Sequence, residues 1–184
     1  VRMVLLLLGL LSYGVKAETE TALRRQADSL RLCSFYEEEL QVRTQIGVQD
    51  FDQQLVQIHL LLSSEQHDQA QVLINQLTPQ TSTQHFWKQR VVSRLYAAQK
   101  NEDKAIELLE ALSPSTDTLL QATLLIDLAK FYDQRGDDSK VISLLEQTVK
   151  LLDQSSHRHH FKNALALSNL AFAYDEGRLF LCSG

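Results

Sequence analysis

A chain of 184 residues with 44% apolar and 22% charged side chains is long and apolar enough for a sizeable folded core, and is not that of a disordered segment. Its net charge of −5 argues against general nucleic-acid binding, which requires a basic field. Six glycines and two prolines leave few turns, so long helices and little sheet are expected.

The N-terminus is read apart from the rest. Arg2, the apolar run Met3 to Leu11 and the small residues of Val15-Lys16-Ala17 have the form of a secretory signal peptide over residues 1–17, cleaved near Ala17. That run is too short for a membrane span of about 20 residues. No later stretch is long enough either. The mature chain is therefore expected to carry no membrane span and to reside in a bacterial periplasm or be secreted. Cys33 and Cys182 lie near opposite ends, and a disulfide would need their Cα atoms within about 7 Å. Both are read as unpaired.

Residues 18–47 are expected to form an N-terminal helical cap, as one helix or a broken pair, with Leu23, Leu30, Leu32, Leu40 and Val42 at a ragged period and Gly47 as its stop. The acidic run Glu37 to Glu39 is read as a solvated helix face. A repeat array follows over residues 48–176. Ala70, Ala105 and Val141, each opening a second helix, stand 35 and 36 residues apart, a spacing that signals stacked helix-turn-helix units. First helices carry Leu55, Ile58 and Leu62, then Val91 and Leu95, then Leu125, Leu128 and Tyr132 at helical spacing. Second helices carry Ala70, Ile74 and Leu77, then Ala105 and Leu109, then Val141, Leu145 and Val149. Pro79 and Pro114 fall just beyond second helices, and Ser113 to Asp117 supplies a turn and a cap.

A catalytic reading has little support: there is no glycine-rich phosphate loop, nucleophile elbow or paired-cysteine motif. His157-Arg158-His159-His160 is read as a solvated linker rather than a metal site, since no third or fourth ligand type accompanies it. His59, His67 and His85 are read as surface or core-edge residues. No cofactor or metal is expected.

Ala129, Tyr132 and Gly136 in the third unit, and the run Asn169 to Tyr174 in a fourth, resemble the tetratricopeptide repeat (TPR). The first two units match less closely, with Glu65 and Lys100 in place of the turn glycine. The resemblance implies an all-α, right-handed α-solenoid of about three and a half TPR-like units behind the helical cap. Gly177 is expected to stop the fourth unit's first helix, leaving residues 177–184 as a truncated or atypical tail. The face of Leu167, Leu170, Ala171 and Tyr174 would then be partly unpaired and favour self-association.

In TPR proteins the first helices line a concave groove that receives a partner's peptide or helix. Carried over by register, the second unit contributes Trp87, Arg90 and Arg94, and the third Thr123, Ile126, Lys130, Asp133 and Gln134. Trp87, Arg90, Arg94 and Lys130 form the candidate partner-binding set, a basic strip beside the only tryptophan that suits an acidic protein or peptide. The plainer alternative is a charged helix face with Trp87 packed on the preceding unit. The chain is accordingly expected to be a non-enzymatic binding scaffold. A competing expectation is the periplasmic input domain of a longer membrane signalling protein, such as a diguanylate cyclase, of which this is a fragment.

Overall fold

A computed structural model describes residues 19–46, 50–112 and 114–182, with side chains through Asp175. The expected signal peptide, Gly47 and Ser113 lie outside the described residues. The fold is all-α. Among the described residues there are helices α1 (19–32), α2 (Tyr36–Ile46), α3 (Phe51–Ser63), α4 (His67–Gln76), α5 (Ser82–Ala98), α6 (Glu102–Glu110), α7 (Thr118–Arg135), α8 (Asp138–Asp153) and α9 (Phe161–Cys182), and no strand. From α2 to α9 each helix packs against the next, and α3 also meets α5 while α7 meets α9. No helix of the described residues is long and apolar enough to cross a membrane.

The local geometry repeats more faithfully than the sequence. Ser34, Glu65, Lys100 and Gly136 all hold a positive φ, at 63°, 58°, 61° and 79°. Each donates its backbone N–H to the carbonyl three residues back, and the residue after it donates to the carbonyl five back: Phe35 to Leu30, Gln66 to Leu61, Asn101 to Tyr96 and Asp137 to Tyr132. This is one helix-ending turn used four times, and it satisfies carbonyls that the helix leaves without partners. Only the fourth copy has the glycine that such a backbone favours. Residues 19–46 therefore form a hairpin closed in the same way as the units that follow.

Helix starts follow side-chain caps. Asp50, Thr81, Asn101, Asp117 and Asp137 each accept from a backbone N–H in the first turn of the following helix. Thr81 and Asp117 set the starts of α5 and α7 at Ser82 and Thr118. These starts lie a turn earlier than the apolar pattern suggests. The core runs without interruption from α3 to α8 through Leu55, Ile58, Ile74, Leu77, Val91, Leu95, Leu109, Leu128 and Leu145.

Three expectations are corrected. Helix α9 runs through Gly177 to Cys182 rather than stopping there; an interior glycine weakens a helix by about 1 kcal/mol without ending it. Glu39 is not solvated but wholly buried, although Glu37 and Glu38 are exposed. His59 is wholly buried rather than at the core edge. Cys33 is a free thiol.

Candidate functional site

Two groups of charged side chains lie inside this all-helical frame. In the first, the buried Glu39 of α2 accepts from Arg31 of α1 at 2.6 Å and from Arg43 of α2 at 2.7 Å. Arg31 also donates to Asp52 of α3 at 2.7 Å, and Arg43 to Asp28 of α1 at 2.7 Å. Every guanidinium here meets carboxylates. Burial pushes the Glu39 carboxyl above its ordinary range, and the two arginines pull against that rise. The cluster ties α1, α2 and α3 together.

The second group lies between α2, α5, α7 and α9. Arg90, 5% exposed, forks onto both carboxylate oxygens of Asp127, with Nη2 3.2 Å from Oδ1. Its Nη1 donates to the Tyr36 hydroxyl at 3.2 Å, and Arg94 donates to the same oxygen at 3.2 Å. Burial would raise the Tyr36 phenol, but the two guanidinium charges hold it below its ordinary value. Burial favours the neutral Asp127 carboxyl, yet Arg90 holds it below the usual carboxylate range.

Arg94 also donates to His59 Nδ1 at 2.7 Å. A guanidinium has no acceptor, so this contact assigns the ring proton to Nε2. Burial and then Arg94 and Arg90 push the imidazole well below its ordinary value, so His59 is neutral. It stacks on Tyr36 with ring centroids 4.1 Å apart.

Tyr36, Arg90, Arg94 and Asp127 line a cavity of about 440 Å³, of whose lining His59 is not part. Ile126 and Lys130 of α7, Val141 and Leu145 of α8, and Lys162, Leu165 and Ala173 of α9 also line it. Lys162 is 5% exposed, and its ammonium meets no carboxylate among the described residues. Burial and the neighbouring Arg90 charge lower its pKa to about 8. Asp133 and Asp138, both exposed, also border the cavity.

Of the four residues selected from sequence, Arg90, Arg94 and Lys130 line this cavity, as do Thr123, Ile126 and Asp133 from the same register argument. They differ in availability. Arg90 is engaged by Asp127, Arg94 is half-buried with only neutral partners, and Lys130 is exposed. Trp87 lies elsewhere, 4% exposed, edge-on to Phe86 and beneath the guanidinium groups of Arg31 at 5.6 Å and Arg90 at 5.3 Å. It packs between the two charge groups and does not face the cavity.

Tyr36, Asp127 and Lys162 were not singled out from sequence. Asp127 follows Arg90 by 37 residues, close to one repeat period, so aligned units held a signal for that pair. Tyr36 and Lys162 lie outside the aligned units and offered none. Among the described residues no three side chains of metal-binding type come together. The chain matches no protein-family model, no curated protein and no solved structure. The class defined by the described residues is an all-α protein with an open cavity bordered by four cations and three carboxylates.

Proposed function

We propose that the chain is an exported, non-enzymatic scaffold, a TPR-like α-solenoid that receives an acidic protein or peptide in the groove lined by α5, α7 and α9. One observation carries this reading: Arg94, Lys130 and Lys162 border a single cavity and, among the described residues, form no ion pair with a carboxylate. An acidic chain is thus positive where a partner would dock, and local complementarity governs encounter and register more than net charge does. The four identical turns, and the packing of α3 on α5 and α7 on α9, support the solenoid.

Fluorescence anisotropy with labelled Glu- and Leu-containing peptides tests the reading. The double variant Arg94→Glu, Lys130→Glu is expected to weaken binding at least tenfold, while Arg90 stays intact to preserve the fold. Unchanged affinity would refute the groove. A second reading, the input domain of a signalling protein, draws on the cavity itself, whose volume is that of a small-molecule site.

A further inference from the structure

The cavity lining combines charge with hydrocarbon. Lys162 and Arg94 border it, as do Arg90 and Lys130 and the carboxylates of Asp127, Asp133 and Asp138. Lys162 is 95% withdrawn from solvent, yet its ammonium is not sealed in: it borders the cavity and is not one of the fully buried atoms without a partner. It brings a full charge and three donors to the cavity, and no carboxylate among the described residues pairs with it. Arg94 commits Nη1 to Tyr36 and His59, and among the described residues Nε and Nη2 meet no acceptor. Asp127 pairs directly with Arg90, whereas Arg94 and Lys162 form no ion pair among the described residues. Val141 and Leu145 of α8 and Leu165 and Ala173 of α9 supply its hydrocarbon.

Each component constrains the ligand. Two donors from a planar fork and one ammonium suit a carboxylate. A phosphate dianion would bring a second charge close to Asp127, which also faces the cavity, and would leave the apolar wall uncovered. The volume of about 440 Å³ is that of a small-molecule site. We propose that this cavity binds a small organic monocarboxylate, its carboxylate held between Lys162 and Arg94 and its apolar body laid along α8 and α9. The inference shares Arg94 with the groove reading but does not require a protein partner.

The test is isothermal titration of the full chain with octanoate, 4-phenylbutyrate and indole-3-acetate, and with octan-1-ol and inorganic phosphate as controls. At least one acid should bind with one-to-one stoichiometry and a sub-millimolar Kd, with both controls at least tenfold weaker. Lys162→Met, which keeps the stem and removes the charge, should weaken the acid at least tenfold, and Arg94→Gln should do so too. Far-ultraviolet circular dichroism establishes that both variants are folded. Binding of octan-1-ol or phosphate as tight as the acid, indifference to Lys162→Met, or failure of all three acids would overturn the proposal. Acidic peptides titrated in parallel separate the two readings: peptide binding lost in Arg94→Glu, with no acid bound, retains the groove and rejects the carboxylate site. Acid binding without peptide binding does the reverse.

Discussion

The two buried charge groups of this protein are built from the same residue types and differ in balance. Around Glu39, the Arg31 and Arg43 guanidinium groups are matched by carboxylates from α1, α2 and α3. Around the cavity, Arg90 is matched by Asp127, while among the described residues Arg94 and Lys162 form no ion pair. A compensated cluster joins helices and needs nothing further. An uncompensated one costs folding free energy and is tolerated where a ligand supplies the missing charge. Trp87 marks the boundary, with one arginine from each group above its ring.

If that contrast is correct, the same kind of substitution should have opposite signs in the two places. The largest effect is expected from Glu39→Gln, which leaves Arg31 and Arg43 short of their shared carboxylate. Stability measured by urea unfolding should fall by about 3 kcal/mol. A change below about 1 kcal/mol would mean that Asp28 and Asp52 suffice.

Removing a charge from the cavity should do the reverse. Lys162→Met is expected to raise stability at neutral pH by roughly 2 kcal/mol, because a largely buried cation that forms no ion pair among the described residues is replaced by a side chain of similar shape. The gain should depend on pH. The ammonium pKa is 10.5 in an open chain and about 8 in the fold, where it faces Arg90 of α5, Asp127 of α7, Tyr36 of α2 and Cys33 beyond α1. Below pH 8 both states hold the proton and the whole penalty applies. Between pH 8 and 10.5 the unfolded chain holds more protons, so wild-type stability rises relative to the variant by about 3 kcal/mol. A stability difference that is flat across this interval would place Lys162 in contact with solvent. A destabilised variant at neutral pH would mean that the cavity cations contribute to the fold as the Glu39 cluster does.

The smallest expected effects concern the turns, which frame both groups alike. A Cβ on Gly136 would meet nothing within 4 Å. Gly136→Ala should therefore cost only the backbone strain of a left-handed residue, about 1 kcal/mol. Lys100→Gly and Glu65→Gly should return a similar amount, read as a rise in Tm. Opposite signs at equivalent positions would establish that one geometry is met by different residues. Equal signs would reveal contacts of the Lys100 or Glu65 side chain that outweigh strain.

The helices were legible because burial imposes a period. Leu55, Ile58 and Leu62, or Ala105 and Leu109, recur at helical spacing and are buried accordingly. The turn at Glu65 was less legible. A glycine signals a left-handed turn, but the backbone hydrogen bonds to Leu61 and Leu62 form whatever the side chain is. Charged positions were the least legible. Glu37 and Glu39 are neighbours of the same type in one run, and only Glu39 turns toward Arg31 of the preceding helix. Arg90 was read as a free groove cation because its partner lies on α7. Trp87 was read both as a partner anchor and as a side chain packed on the preceding unit, because nothing local distinguishes the two; it is buried.

By itself the amino-acid sequence determined where helices form, where they stop within a few residues, and which apolar faces are buried. Those properties depend on neighbours three or four positions away. The tertiary structure alone decided which charges are cancelled and which are not: that Glu39 and His59 are inside, that Asp127 neutralises Arg90, and that Lys162 comes to Arg94 across one cavity. Compensation of a charge requires a partner on another helix, and its distance along the chain carries almost no information about its distance in space.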